Sequence, residues 1–276
     1  MKNKLTLLMV ACGLLLLTAC GTQVNAGGVT AENRIVVAGS TTVAPLAQAL
    51  ADAFMATHPT YDVEVQSMGT GAGMTATTEG VADIGLASRL LNPDELANLA
   101  YATFAIDGIA IAVHPDNQVA DLSFDQLQQI FLGQITNWSQ VGGVDQPIFV
   151  ISREDGSGAR SAFEDMLGVS HEVDYILIGI GSNGVLSSVE QIPQSIAYAT
   201  VGLVEERAVS AVSVNGVAFS MESAMEGMYP FAIGFHMAFL HTGVSPAAQT
   251  FLNWVMGPEG QRVVLDNEYV PVGTVE

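Results

Sequence analysis

An α/β protein with largely parallel sheets is predicted by two observations. Short apolar runs alternate with amphipathic helical patterns along most of the chain, and Ser, Thr, Gly or Pro punctuates the ends of those patterns. A composition of 49% hydrophobic and 13% charged residues is that of a globular protein and leaves no room for a largely disordered one.

The first segment is set apart from the fold. Lys2 and Lys4 precede an uncharged run from Leu5 to Leu17, shorter than the roughly 20 residues that span a bilayer, so 1–19 reads as an export signal. The run ends in Leu17-Thr18-Ala19-Cys20, which resembles the lipobox of bacterial lipoproteins and makes Cys20 the lipidated N-terminus of a membrane-anchored chain. Residues 20–33 are small and polar and read as a tether. Cys12 lies in the leader, so the mature chain keeps only the anchor cysteine and the fold rests on packing without an internal disulfide.

The elements follow in order. "RIVVAG" (34–39) is a strand. "VAPLAQALADAFMATH" (43–58) is a helix with Pro45 in its first turn, where a missing N–H costs nothing. "YDVEVQSM" (61–68) alternates as a strand, and "AGMTATTEG" (72–80) is a short helix closed by Gly80. "ADIGLAS" (82–88) and "GIAIAVHP" (108–115) continue the strands. "SFDQLQQIFLG" (123–133) is a helix capped by Ser123. "PIFVISR" (147–153) is a strand and "GARSAFEDMLG" (158–168) a helix. "EVDYILIG", "SIAYATVG", "AVSAVSVNG" and "YPFAIGFHMAFLH" add strands, and 245–269 reads as two helices broken at Gly257-Pro258. Met-rich "SMESAMEGMYPF" (220–231) reads as core and linker packing.

Charge narrows the function. Without Lys2 and Lys4 the chain carries six arginines against 28 acidic residues, a formal charge of −22, which argues against nucleic-acid binding. Three of the six arginines, Arg89, Arg153 and Arg160, fall in or beside Gly/Ser turns. Scarce cations placed there point to an anion.

Three places share one construction: a strand, a Gly/Ser/Thr turn, then a helix. They are "VVAGSTTVAPL" (36–46), "VQSMGTGAGMTA" (65–76) and "VISREDGSGARSAF" (150–163). Helix N-termini present free N–H groups and partial positive charge, glycine lets the backbone come close, and Ser or Thr adds a hydroxyl. One such turn is ordinary capping. Three turns, with Arg89 and Arg153 at strand ends beside them, make an oxyanion site, because a guanidinium forms paired bonds to oxyanion oxygens. Arg160, one turn into its helix, is equally a partner for Glu164 at i+4. Asp155 has two compatible roles: bracing Arg153, and accepting a proton from a protonated ligand oxygen.

Competing motifs are weaker. "GIGSNG" (179–184) fits G-x-G-x-x-G with Glu205 at a ribose-contact distance, but Pro193 cuts short the helix after it, so it reads as a structural turn. No Lys follows a Gly-rich turn, which excludes a P-loop. Ser157 as a nucleophile with His236 or His241 as base lacks the first Gly of G-x-S-x-G and an orienting partner. The histidines show no metal-ligand spacing, so no metal or cofactor is expected.

Along nearly the whole mature chain the sequence resembles the phosphate-binding lipoproteins of bacterial phosphate ABC transporters, in the type II periplasmic-binding-protein superfamily. The likeness runs through "GSTTVAPLAQALADAF", "GTGAG", "ADIGLASRLL", "DGIAIAVHPDN", "LQQIFLGQITNWSQVGG", "SREDGSGARSAFED", "GSNGVLSSV", "IAYATVGL" and "FLNWVMGPEGQRVV". It implies two lobes, 34–108 with 230–276 and 109–229, joined by two hinge crossings around a central cleft. It also implies a monomeric, lipid-anchored protein that binds inorganic phosphate and hands it to permease subunits, without catalysis. The implied ligand contacts are Ser40, Thr41, Thr42, Thr70, Gly71, Ser88, Arg89, Arg153, Asp155, Ser157, Gly158 and Ala159. Position 159 is Ala where the family commonly has Thr, leaving only a backbone N–H. One branch of the family has an aspartate where Arg89 stands, so discrimination against sulfate would fall to Asp155. Another oxyanion, sulfate or molybdate, is the alternative ligand, and a secreted phosphatase-like hydrolase the more distant reading.

Overall fold

A computed structural model describes residues 30–170, 172–205 and 207–274; the leader, Cys20 and most of the tether lie outside the described residues. Among the described residues eleven strands form one sheet, eight of them on a continuous path with β5, β9 and β11 branching from it: β1 (Arg34–Gly39), β2 (Asp62–Ser67), β3 (Ile84–Ala87), β4 (Leu99–Val113), β5 (Asp121–Leu122), β6 (Phe149–Arg153), β7 (Leu177–Gly179), β8 (Ser195–Thr200), β9 (Ser210–Val214), β10 (Ala232–Leu240) and β11 (Val270–Pro271). The order β2-β1-β3-β10-β4-β8-β6-β7 has a parallel wing at each end.

The centre is antiparallel, contrary to the expectation of a largely parallel sheet. β10 runs against both β3 and β4, and β4 against β8 and β9. The reason lies in β4, fifteen residues long, of which the apolar run at 108–115 revealed only the second half. Its first half pairs with β10 as far as Gly108. From Ile109 it pairs with β8 and β9, while the Ile109 N–H donates to the Phe231 carbonyl at 2.8 Å. The chain therefore passes between the two wings at 108/109 and again at 231/232.

Helices cover the wings through periodic apolar faces. Helix Ala44–Thr57 carries Pro45 in its first turn and buries Leu46, Leu50 and Phe54 at i, i+4 spacing. Phe54 stacks edge-on against Phe251 of helix Pro246–Met256. Helix Phe124–Phe131 starts at Ser123, whose hydroxyl accepts the Gln126 N–H at 3.1 Å. In the other wing Phe163 stacks on Tyr198 and packs edge-on against Phe131. The two predicted C-terminal helices form as Pro246–Met256 and Pro258–Asp266. The Met-rich stretch fits its reading as core and linker packing only in part: Met225 and Met228 are exposed, while Ser223, Ala224, Tyr229 and Phe231 are buried.

Candidate functional site

Four strand ends meet where the wings face one another, each followed by a glycine-bearing turn and a helix of at least nine residues: Ala44–Thr57, Thr70–Thr78, Gly158–Leu167 and Gly181–Gln191. Two belong to each wing. Their first turns bring positive dipole ends together there, and several of their N–H groups already have partners: Gly71 with Gly156, Arg160 with Ser157 and Gly181 with Glu154.

The first turn depends on Gly39, whose φ is +146° and whose missing Cβ would stand 2.8 Å from the Leu86 backbone N. That closeness lets Ser40 N–H bond to the Leu86 carbonyl at 2.9 Å. The Ser40 hydroxyl then donates to Ser88 Oγ at 3.0 Å and accepts the Thr42 N–H at 3.3 Å. Thr70, fully buried, accepts the Ser88 N–H at 3.4 Å, tying the second turn to the end of β3.

Arg153 ends β6 and is only 2% exposed. Its Nη2 donates across the gap to Thr41 Oγ1 at 3.0 Å, and its Nη1 to Ser182 Oγ at 3.0 Å. Ser182 in turn pairs with Thr42 Oγ1 at 3.1 Å, and Gly71 N–H bonds to the Gly156 carbonyl at 3.1 Å. These three contacts, Thr41 to Arg153, Thr42 to Ser182 and Gly71 to Gly156, join the two wings across the site. Gly158 packs against Thr70 and Ser88 so closely that a Cβ there would meet both. Beneath, the Tyr198 hydroxyl bonds with Ser152 and accepts the Arg153 N–H, and burial pushes it up to about 12, so it stays neutral.

The charge partner of Arg153 is Glu154. Its carboxylate takes Nε at 2.9 Å and Nη2 at 2.9 Å, and also accepts the Gly181 N–H at 3.1 Å. Burial opposes its ionisation, but the bonds and charge of Arg153, with help from Gly181, outweigh that and hold it below the usual carboxylate range. Glu154 therefore fastens the arginine to the fourth helix.

Most predicted residues converge here: Ser40, Thr41, Thr42, Thr70, Gly71, Ser88, Arg153, Ser157, Gly158 and Ala159. Ser157 caps its helix by accepting the Arg160 N–H at 3.2 Å, and Ala159 is buried in the first turn with no hydroxyl to offer. Two predicted residues stand apart. Arg89 turns away into a two-pronged pair with Glu95, both contacts 2.8 Å, inside a capping box built on Asn92. Asp155 does not brace Arg153. Gly156, at φ +82°, turns the chain so that Asp155 is fully exposed and pairs with Arg160 at 2.9 Å. Arg160 also holds Glu164 at 2.7 Å, the i+4 pair expected from spacing.

Ser182 and Glu154 were missed. "GIGSNG" is no bystander turn: it is a fourth copy of the strand, small-residue turn and helix pattern, and that repetition was the readable signal. Glu154 sits beside Asp155, and spacing alone does not say which carboxylate meets the arginine. Chemically, the assembled groups are hydroxyls, N–H donors and one guanidinium paired with the Glu154 carboxylate, with no group of three or more His, Cys, Asp or Glu poised to hold a metal among the described residues. Such a set holds a small oxyanion.

A family model described as a PBP superfamily domain matches residues 25–259. The phosphate-binding protein PstS of Bacillus subtilis is 30% identical over 98% of this chain and 95% of its own length. A crystal structure from Clostridium perfringens, assigned to phosphate ABC transport as a substrate-binding protein and solved with bound phosphate, superposes with TM-score 0.84 at 35% identity. The match covers 87% of this chain and all of that one. An ABC-type phosphate transport receptor from Vibrio cholerae gives TM-score 0.72 at 30% identity, over 86% and 99% of the two chains.

Proposed function

We propose that this chain, which belongs to the PBP superfamily and within it to the PstS phosphate-binding proteins, captures inorganic phosphate outside the cytoplasm. It delivers the ion to the permease subunits of an ABC transporter. The observation that carries this reading is Arg153: a buried guanidinium from one wing bonded to Thr41 of the other, among four converging helix N-termini.

The lobes are 34–108 with 230–276 and 109–229, and they close about the crossings at 108/109 and 231/232. Ligand oxygens stabilise the closed form because they bridge turns from both lobes; a ligand touching one lobe alone would shift nothing. Ser40, Thr41, Thr42, Thr70 and Ser88 supply one wall, and Arg153, Ser157, Gly158, Ala159 and Ser182 the other. Arg89 and Asp155 are left to structural pairing. The protein acts as a monomer tethered through lipid on Cys20, and it binds without turnover, as its relatives are binding and transport proteins.

Isothermal titration with phosphate, sulfate and molybdate tests this. Tight, saturable phosphate binding at one site is expected, with the other anions weaker. No heat with phosphate, or tighter binding of sulfate or molybdate, refutes phosphate as the ligand.

A further inference from the structure

Asp107 lies in β4 one residue before the point where that strand exchanges β10 for β8 and β9. It is 3% exposed. One carboxyl oxygen accepts the Gly108 N–H at 2.7 Å, and the other, Oδ2, has no hydrogen-bond partner. A carboxylate left in that condition is costly, whereas a neutral carboxyl is tolerated.

Its surroundings come from both sides of the crossing. Ile233 of β10 stands opposite it in the sheet. The Phe219 ring closes over Gly108, and Tyr229 donates its hydroxyl to the Ile109 carbonyl at 2.8 Å. The titratable groups on the elements packed around it are Glu205 at the end of helix Val201–Glu205, Tyr229, Tyr269 ahead of β11, Glu222 in helix Met221–Met225 with Glu226 just after it, and His236 further along β10. Of these, Glu205 and Tyr229 interact electrostatically with Asp107, and neither brings positive charge.

We propose that Asp107 is a proton-linked latch at the hinge: its carboxyl takes up a proton as the lobes close and releases it as they part. This rests on the closure described under the proposed function. Rotation about 108/109 and 231/232 moves Ile233 and the Phe219–Tyr229 segment relative to one another, which admits water to the orphaned oxygen. In the closed arrangement burial, with Glu205 adding to it and Gly108 N–H opposing, pushes the carboxyl up to about 7; in water it returns toward the ordinary aspartate value. Capture is thereby favoured in acidic surroundings, and release as pH rises.

The test is proton uptake on phosphate binding at pH 7, measured calorimetrically in two buffers of different ionisation enthalpy, for the wild type and Asp107→Asn. Phosphate's own proton exchange is common to both and cancels. The wild type should take up about half a proton more per phosphate bound, and its affinity should fall about tenfold further than the variant's between pH 6 and 8. Equal proton counts overturn the latch. Should the variant fail to fold, carboxyl 13C NMR of aspartate-labelled wild type decides. One resonance should titrate near neutrality with phosphate and near the ordinary range without it, and a shared midpoint overturns the proposal. A wild type that binds no phosphate overturns the functional reading itself, whereas binding with equal counts overturns the latch alone.

Discussion

Gly158 opens its helix directly against Thr70 and Ser88 of the opposite wing, so a methyl group there is a wedge at the proposed ligand site. A Cβ would stand 2.7 Å from Ser88 Oγ and 2.9 Å from Thr70 Cβ, nearer still to Thr70 Oγ1, where real Cβ atoms essentially never come below 3.0 Å. Thr70 is fully buried and holds the Ser88 N–H, so it has no free space to turn into. Gly158 itself has helical backbone, so alanine suits the helix and the ligand-free protein should keep or slightly gain stability. The strain falls on the closed arrangement. Relieving it parts the lobes and weakens the three contacts Thr41 to Arg153, Thr42 to Ser182 and Gly71 to Gly156. At roughly 1 kcal/mol each, that is about 3 kcal/mol, or on the order of a hundredfold in affinity. Calorimetric titration of Gly158→Ala with phosphate, beside its ligand-free melting temperature, checks this. An affinity within about threefold of the wild type would refute closure of this face on the ligand.

Ser182→Ala removes the acceptor of Arg153 Nη1 and the partner of Thr42. Phosphate affinity should fall roughly 10- to 100-fold, with titration as the assay. Asp155→Asn alters a fully exposed side chain whose partner is Arg160, so phosphate affinity and the phosphate-to-sulfate ratio should stay within about twofold of the wild type by competition titration. His236 is 3% exposed, with Nδ1 bonded to Thr103 Oγ1, and burial lowers it to about 4. The unfolded chain takes its proton near the ordinary histidine value and the folded protein only near 4, so this residue's contribution makes stability fall as pH drops through that window. The loss is on the order of 3 kcal/mol, and comparing denaturant unfolding of the wild type and His236→Gln at pH 7 and 4.5 isolates it.

What was legible in the residues was whatever local chemistry fixes. Pro45, Ser123, Gly80 and the Gly257-Pro258 break mark helix ends through backbone geometry alone, and those ends fall within a residue or two of expectation. The turns at Ser40, Thr70 and Arg153 were legible for the same reason. Pairing was not legible. The first half of β4 pairs antiparallel with β10, more than a hundred residues away, and only part of its length is continuously apolar. Arg89 looked free, although Asn92 and Glu95 already spelled a capping box whose glutamate lies within the arginine's reach. Which of Glu154 and Asp155 meets Arg153 is decided by the turn at Gly156, a backbone choice that charge counting does not register.

The same pairings explain how a chain of charge −20 holds an anion. Each arginine near the site has its own carboxylate: Arg89 has Glu95, Arg153 has Glu154, and Arg160 has Glu164 and Asp155. A guanidinium has five N–H groups. In Arg153, Nε and one Nη2 hydrogen go to Glu154, the other Nη2 hydrogen to Thr41 and one Nη1 hydrogen to Ser182, which leaves one Nη1 hydrogen for a ligand. The arginine is therefore a rigid donor in a pair of no net charge rather than a free cation. At the proposed site the anion's charge would fall instead on hydroxyls and on helix N-termini, whose donors are fixed by the fold and need no counter-ion. Acidity over the rest of the surface then keeps the protein soluble without cancelling the site, because dipoles a few ångströms from the ligand act within a screening length that distant carboxylates exceed.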